Sequence, residues 1–280
     1  MSGKIKRREF LGLGMGLFAT PVFAADDVRF TVTGAMEQGS LALGSAPPGS
    51  LAALDGRPLT ITADGKFVFG FADDQTRAAL VTVRYLEGGG DSRSFKPKPR
   101  QYEVQRVNGL PQNTVTPPPD VEARISHEAE TIYLARLTQS PGTDFLSGFD
   151  WPAPGILSGT FGSRRIDNGV PMAPHFGVDM AAPVGTPIHA PAAGTVSICD
   201  DYYLDGGFTL IDHGQGVSTS YLHQSKRLVK VGDKVVRGQL IGQIGQTGRA
   251  TGPHLHWAMN WFQLRLDPSR STRKPGPDPL

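Results

Sequence analysis

The sequence predicts a mainly β protein, with an antiparallel β-sheet domain in its C-terminal half that is preceded by a small β-sandwich and one helix. Its 280 residues, enough for two modest domains, include 35 glycines and 23 prolines, which favour short strands and tight turns. Short runs rich in valine, isoleucine, threonine and phenylalanine recur along the chain, often separated by Asp-Gly or glycine-rich turns. Only one stretch spaces its apolar residues as a helix does.

Residues 1–24 have the pattern of a secretory signal peptide. A basic start precedes an apolar run that is too short to span a bilayer, and the run ends at Val22-Phe23-Ala24. Arg7 and Arg8, followed by Glu9-Phe10-Leu11, are similar to a twin-arginine export signal. We therefore expect export to a bacterial periplasm, without stable membrane insertion after signal cleavage.

Charge and cysteine content exclude two kinds of protein. The formal net charge of the chain is +2, and removal of residues 1–24 leaves about −1. A nearly neutral chain is not a polybasic binder, so no nucleic-acid or lipid partner is expected. Cys199 is the only cysteine, which excludes an intrachain disulfide, and its apolar neighbours indicate a buried small hydrophobe rather than a nucleophile.

The sequence pattern of residues 25–110 predicts the β-sandwich. The β-like runs in this region are VRFTVTG, PLTITADG, KFVFGFADD, ALVTVRYLEGG and QYEVQRVNG. Nothing here groups histidines, cysteines or carboxylates, so the sequence assigns no chemistry to this domain and leaves its role unknown.

Residues 111–149 predict a proline-rich linker followed by the helix. The stretch NGLPQNTVTPPPD breaks regular structure and marks a domain boundary. After it, an apolar stripe at helical spacing is formed by Val121, Ile125, Ile132 and Leu137. Asp120 is the expected N-cap of this helix, and His127, which lies among polar residues, is expected to face solvent.

Residues 150–268 predict the second β domain, and residues 269–280 predict a flexible polar tail. The strand candidates are PIHAPAAGTVSIC, FTLIDHG, VSTSYLHQ, GQLIGQIG and HLHWAMN. In the last of these, His254 and His256 flank Leu255, so both imidazoles point to the same face of a strand. Such a pair indicates a metal site, a proton-transfer site or two surface histidines, and other residues must decide.

Further donors favour the metal site. His175 and Asp179, separated by three residues, offer an imidazole nitrogen and a carboxylate oxygen, and a catalytic zinc typically has three protein ligands plus a water. One imidazole of the HLH strand can supply the third ligand, and the other would lie beside the water, where a proton acceptor is useful. His189 and His213, each isolated in the sequence, are expected to have structural roles.

In this order the motifs resemble those of the lysostaphin-type (M23, LytM-like) zinc metallopeptidases. The resemblance rests on His175-x-x-x-Asp179, Tyr221-Leu222-His223 and Gly252-Pro253-His254-Leu255-His256, and it spans roughly residues 150–268. It implies one Zn²⁺ per chain, bound by His175, Asp179 and His256. It also implies that His254 is the general base for the attacking water, and that His223 orients this water or stabilises the developing oxyanion.

The resemblance further implies a zinc-dependent endopeptidase that hydrolyses the peptide cross-links of bacterial peptidoglycan, with peptide stems as its partner. The substrate cleft is expected to be flanked by Tyr221 and Trp257. One alternative is a non-catalytic or latent regulator that binds cell wall or activates other wall hydrolases, with a regulatory protein partner. The other is a lipoyl-carrier-like segment at VKVGDKVVRGQLIGQIG, but it lacks the Met-Lys hairpin that such modules need and leaves the histidines unexplained.

Overall fold

The computed structural model describes residues 29–277, which form two β-rich parts joined by a helical segment. The mainly β class that the sequence predicts is confirmed. The predicted signal peptide lies outside the described residues. Across 29–277, no helix has both the length and the apolar character needed to cross a bilayer.

The N-terminal part contains seven strands in two antiparallel sheets. The strands are β1 (Thr31–Gly34), β2 (Leu41–Ser45), β3 (Leu51–Leu54), β4 (Arg57–Leu59), β5 (Lys66–Gly70), β6 (Ala79–Arg84) and β7 (Gly90–Phe95). One sheet has the order β1-β2-β5 and the other the order β4-β3-β6-β7. Strand β6 alternates buried and exposed residues, as a strand with one solvated face should, whereas the interior residues of β5 are all buried.

Strand β5 is fully buried because it lies between two hydrophobic cores. Phe67 and Phe69 point into the sandwich, where they pack with Val81 and Val83 of β6. Val68, on the opposite face of β5, belongs to the core of the C-terminal part. The run KFVFG is therefore continuous in hydrophobicity because each face has a different neighbour.

The C-terminal part is built on one large antiparallel sheet. The strands of this part are β9 (Ile156–Gly159), β10 (Arg164–Asp167), β11 (Val170–Pro171), β12 (Val178–Ala181), β13 (Pro187–His189), β14 (Gly194–Tyr202), β15 (Gly206–Gly214), β16 (Val217–Arg227), β17 (Lys234–Val235), β18 (Leu240–Ile244), β19 (His254–Trp261) and β20 (Leu264–Leu266). Two of them, β10 and β11, are small and lie outside the large sheet. The main order is β17-β14-β15-β16-β19-β12-β9; β18 pairs with β13 and β16, and β20 pairs with β19.

Two expectations for this region are wrong. Tyr221 and Trp257 do not flank a cleft, because both side chains are fully buried in the core of the sheet. Their odd-numbered positions place them on the face of β16 and β19 opposite to His254 and His256. The candidate PIHAPAAGTVSIC is also two strands, β13 and β14, separated by a turn.

The run QYEVQRVNG does form a strand, β8 (Val104–Val107), but its assignment to the sandwich is wrong. It pairs in parallel with β10, with Gln105 opposite Arg165. The sequence pattern indicates a strand without identifying its partner, since that partner lies about sixty residues further along the chain. The domain boundary at residue 110 stays a prediction.

The helical segment contains two helices rather than one. A single turn, α1 (Gln112–Val115), precedes α2 (Pro119–Arg136). Asp120 is not the N-cap: it lies in the first turn, and Pro118 occupies the cap position without a side-chain hydrogen bond. Ile132 packs against the sheet beside Ile198, Tyr202, Phe208 and Leu210. His127 is exposed, as predicted, whereas Leu137 of the apolar stripe is also exposed.

The described part of the tail, which the sequence predicts to be flexible, makes defined contacts. Residues Pro268–Ser271 form a 3₁₀ turn in which Asp267 accepts hydrogen bonds from the backbone and side chain of Ser269. Beyond it, Arg273 forms a bidentate ion pair with Asp150 at 2.7 Å. These contacts connect the start of the tail to the segment that precedes β9, and the flexibility of the tail stays a prediction.

Candidate metal centre

Three predicted ligands meet at one point of the large sheet. His175 Nε2 lies 3.0 Å from Asp179 Oδ1 and 2.8 Å from His256 Nδ1, and His256 Nδ1 lies 2.9 Å from Asp179 Oδ1. Together they form a compact group of side chains that could hold a metal ion. The three atoms are close enough to bind one ion simultaneously.

Strand pairing explains this convergence. In the antiparallel ladder of β12 and β19, Asp179 lies directly opposite His256, and Ala181 lies opposite His254. Directly opposed residues in such a ladder have neighbouring side chains on one face. His175 lies on the loop that leads into β12, four residues before Asp179, and reaches the same point from outside the sheet.

Backbone carbonyls select the tautomer of three histidines. His175 Nδ1 lies 3.0 Å from Thr160 O, His223 Nδ1 lies 2.8 Å from Thr247 O, and His254 Nδ1 lies 2.9 Å from Gly252 O. A carbonyl oxygen only accepts hydrogen bonds, so in each ring Nδ1 carries the proton and donates it. The Nε2 atom of each neutral ring is therefore a lone-pair donor.

His223 and His254 stand beside the three ligand candidates. Their ring centroids are 4.7 Å apart, and the His223 ring is 6.3 Å from that of His256. His254 Nε2 lies 3.8 Å from Asp179 Oδ1, which is within reach of the cluster but not part of it. His223 has a positive φ of 64°, an unusual backbone conformation for a histidine.

Burial and neighbouring charges shift pKa values in this cluster toward the protonation states that bind a metal ion. Burial lowers the pKa of His256 to about 4, and burial together with the charges of His254 and His256 lowers the pKa of His223 well below its usual value. Burial acts to raise the pKa of Asp179, but the charge of His175 and hydrogen bonds from His175 and His256 outweigh it and hold that pKa well below its usual value. These directions favour neutral imidazoles at His223 and His256 and an ionised carboxylate at Asp179, which are the metal-binding forms.

Sequence reasoning missed Arg165, which contacts the second oxygen of the carboxylate. Its Nη2 donates to Asp179 Oδ2 at 2.5 Å, while Oδ1 faces the two histidines. The adjacent Arg164 is exposed. No motif singles out Arg165, because its position depends on the pairing of β10 with β8.

Two glycines that sequence reasoning also missed leave space for the ligands. A Cβ atom at Gly177 would lie 2.5 Å from His256 Nε2, and one at Gly159 would collide with the carboxylate of Asp179. Gly177 carries a signal that could have been used, since it is the only small residue between His175 and Asp179.

The remaining histidines and the cysteine lie outside the centre. His213 is fully buried in β15, where its ring nitrogens contact Ala193 O and Thr219 Oγ1. His189 lies half-buried in β13. The thiol of Cys199 is half-buried against Val229 O, and burial raises its pKa, which makes it a poor nucleophile.

A cavity of about 450 Å³ opens beside the centre. Helix α2 forms one wall, and the sheet face that carries His223 and His256 forms another. The loop that precedes His175 contributes a third side. The centre is therefore accessible from a cavity of a size suited to a small ligand or a segment of peptide.

Comparisons with known proteins agree with this geometry. The sequence profile of peptidase family M23 matches residues 173–268. The chain also superposes on the crystal structure of a Pseudomonas aeruginosa protein assigned as a peptidase M23, with a TM-score of 0.64 and 31% identity, covering 84% of this chain and 93% of that one. The chain belongs to peptidase family M23.

The curated relatives match about a third of this M23 chain. The peptidoglycan DD-endopeptidase ShyA of Vibrio cholerae is 45% identical over 104 residues, which are 37% of this chain and 24% of that protein. The DD-carboxypeptidase/endopeptidase Mpg of Neisseria meningitidis is 43% identical over 83 residues, 30% of this chain and 19% of that protein. The chain thus spans about a quarter or less of the length of these relatives.

Proposed function

We propose that this M23 chain is a zinc-dependent endopeptidase that hydrolyses peptide cross-links of bacterial peptidoglycan. The observation that carries the proposal is the convergence of His175 Nε2, Asp179 Oδ1 and His256 Nδ1 within about 3 Å of one another. Three donor atoms this close to one another can coordinate a single cation.

The donor set suits zinc. Two imidazoles and one carboxylate are the ligands of a known type of catalytic zinc site, with a further position left for water or substrate. The chemistry that zinc supplies when bound is polarisation of the scissile carbonyl and a lowered pKa of the attacking water. Arg165 supports the site by binding Asp179 Oδ2, which leaves Oδ1 for the ion.

His254 is the proposed general base. Its Nδ1–H donates to Gly252 O, which fixes the ring and leaves the lone pair of Nε2 directed toward the cluster. A base must reach the proton that it removes before its pKa matters, and His254 is the non-ligand imidazole within 4 Å of Asp179 Oδ1.

His223 has the complementary role of orienting the water. Its Nδ1–H is already donated to Thr247 O, and its lowered pKa keeps the ring neutral, so Nε2 can only accept a hydrogen bond. Of the two roles that the resemblance implies, orientation of the water therefore fits better than donation to an oxyanion.

Peptidoglycan as substrate is supported by the names of the relatives and by the predicted export. ShyA is named a peptidoglycan DD-endopeptidase, and the Neisseria relative a DD-carboxypeptidase/endopeptidase. The signal-like residues 1–24 would place the mature chain in the periplasm, in contact with this polymer. The twin-arginine route is part of the same proposal; a double Arg7→Lys, Arg8→Lys variant that is exported normally would contradict it.

The test uses purified residues 25–280 with cross-linked muropeptides, with products identified by mass spectrometry and zinc content measured in parallel. We expect one zinc per chain and conversion of cross-linked dimers to monomers that a chelator abolishes. Asp179→Ala should lose both zinc and activity, whereas His189→Ala, outside the centre, should keep both. Zinc binding without any cleavage would overturn the catalytic proposal and favour the latent regulator.

A further inference from the structure

Helix α2 inserts a buried arginine into the cavity beside the metal centre. Arg136, the last residue of α2, is only 6% exposed, and within residues 29–277 its side chain makes one hydrogen bond, a long contact of 3.4 Å from Nη2 to Ser220 Oγ. Its Nε is buried and has no hydrogen-bond partner among residues 29–277. Burial lowers the pKa of Arg136 to about 9, so the side chain is still charged at neutral pH.

A buried cation in this state lacks its expected partner. No carboxylate of the described residues lies within 4.0 Å of the Arg136 guanidinium, although a guanidinium carries five donors. Asp205 interacts with this charge at longer range, but a buried charge without a close ion pair is unfavourable, and proteins normally pair it or bind it to an ion. The missing acceptor can therefore come from a ligand in the cavity.

Arg265 supplies a second guanidinium to the same cavity. It lies on β20 directly opposite Asn260, which shares the face of β19 that carries His256. Burial lowers its pKa, and among residues 29–277 its side chain has no ion pair within 4.0 Å. The fork of an arginine binds a carboxylate through two parallel hydrogen bonds, so two such side chains form a strong anion site.

The other charged groups around the cavity leave it positive. Glu128 is already bound to Arg124 and to the backbone N–H of Tyr203, and Arg165 is bound to Asp179. The lining residues without an ion pair are the arginines Arg136, Arg249 and Arg265 and the carboxylates Asp167 and Asp205. Burial raises the pKa of Asp205, and its carboxylate interacts with Arg136, Arg249 and Arg265, so one carboxylate is shared among three guanidinium groups.

The distance to the metal centre fits a substrate residue next to the scissile bond. Ser220, which Arg136 contacts, is two residues before Leu222 on β16, and Leu222 is paired with His256. Two residues of a strand span roughly 7 Å. This is about the length of two residues of an extended peptide, so an anionic group of the substrate can reach Arg136 while the adjacent carbonyl lies at the centre.

We infer that the cavity is a subsite for a free carboxylate of the substrate peptide, bound by Arg136 and Arg265, one or two residues from the bond that is cleaved. This inference rests on the proposed function, because it assigns the substrate class for the same centre. It gives α2, which lies outside the region matched to the family, a direct part in substrate recognition.

The experiment compares two cross-linked peptides that differ only in this group, one with a free carboxylate beside the scissile bond and one with the carboxamide. The protein is the zinc-loaded chain of residues 25–280, with Arg136→Met, Arg265→Gln and, as control, Arg227→Gln. Arg227 is paired with Asp201 on the same sheet, outside the cavity. Methionine fills the space of Arg136 without a charge, so it should preserve packing.

The wild-type chain and the Arg227→Gln control should prefer the free carboxylate in kcat/KM by about 10- to 100-fold, the effect expected for a lost charge-assisted hydrogen bond. In Arg136→Met and Arg265→Gln this preference should fall toward one, with little change for the carboxamide. Equal hydrolysis of both peptides by the wild-type chain would overturn the subsite while leaving the peptidase proposal intact.

A second readout does not depend on hydrolysis. N-acetylalanine should raise the Tm of the wild-type chain more than its amide does, and Arg136→Met should abolish the difference. Cleavage of neither peptide, with this binding difference present, would reject the peptidase and keep the carboxylate site. An identical Tm shift from acid and amide would reject the carboxylate site.

Discussion

The two β-rich parts of the molecule have similar cores but differ in the polar groups that they bury. The sandwich is filled by Phe67, Phe69 and their neighbours, and between residues 29 and 110 its buried polar residues are Gln38, Ser40 and Ser50, all uncharged. After residue 110 the buried polar residues of the described chain include the ionisable side chains Arg136, Asp167, His175, Asp179, Asp212, His213, His223 and Asp267.

This difference shows which part of the molecule bears the free-energy cost of burying ionisable side chains. Both cores stabilise a fold by burying apolar surface, and neither core alone indicates chemistry. Burying ionisable groups costs free energy, so a concentration of them in one part marks the region where chemistry compensates the cost. The sandwich, in contrast, can be altered without a direct effect on the centre.

Among the variants proposed here, His254→Ala should have the largest effect, and it should lower catalysis without affecting the fold. The ligand set stays complete, so zinc content should remain near one per chain, while kcat should fall by about 10²- to 10⁴-fold because the proton acceptor is lost. Zinc analysis and steady-state kinetics on muropeptides measure the two quantities. If His254→Ala lost zinc and His256→Ala retained it, the roles of the two histidines would be reversed.

The converse change is Phe67→Ala, in the part whose buried polar residues are all uncharged. Phe67 is fully buried, so its truncation should lower the free energy of unfolding by about 3–5 kcal/mol, measured by urea denaturation. Under conditions where the variant is folded, zinc content should not change. Leu51→Ala, at a position that is 65% exposed, is the control and should have little effect. Loss of zinc by folded Phe67→Ala would show that the two parts are not separable.

A smaller effect is expected at Arg165, which lies on β10 and contacts Asp179. Arg165→Gln removes the cation that binds Asp179 Oδ2, so zinc affinity should fall by about 10- to 100-fold, measured by competition with a fluorescent chelator. Arg164→Gln changes the exposed neighbour on the same strand and should leave affinity as it is. Equal affinities in the two variants would mean that the contact with Asp179 has no role in metal binding.

The smallest effect is a pH dependence of stability that the buried histidines impose. Burial lowers the folded-state pKa of His213 and His223 below the unfolded value of 6.5, so the unfolded chain binds more protons as pH falls below that value. The free energy of unfolding should therefore decrease from pH 6.5 downward, by at most about 1.4 kcal/mol per pH unit for each histidine.

Denaturation curves at several pH values, with chelator present throughout, measure this slope. His213→Gln should reduce it, whereas His127→Gln, an exposed position on α2, should not. An unchanged slope in His213→Gln would assign the pH dependence to other groups.

The sequence predicted the elements of the site better than it predicted its surroundings. His175, Asp179 and one histidine of the HLH strand could be grouped because motif spacing and strand alternation are local properties. The resemblance to the family selected His256, and the structure brings these three together. The pairing partner of β8 could not be predicted, since it depends on a contact between distant segments. Arg165 and Arg136 were missed for the same reason: their importance arises from what they contact.

Burial produced the remaining errors. Tyr221 and Trp257 were expected at the cleft because aromatic residues often line peptide sites, but alternation along β16 and β19 puts them on the face opposite to the histidines. Applying the period-two rule, which correctly placed His254 and His256 together, to Trp257 would have corrected this expectation.

The pairing of β8 with β10 ties residues outside the family match to the candidate metal centre. Residues 173–268, the region matched to the family, contain every predicted ligand and both catalytic candidates. A fragment cut to those residues would lack Arg165, the strand that supports it, and Arg136 of α2. Such a fragment would keep the candidate metal ligands but lose the contact of Arg165 with Asp179 and the proposed carboxylate site. We therefore expect it to be a less selective hydrolase than the intact chain.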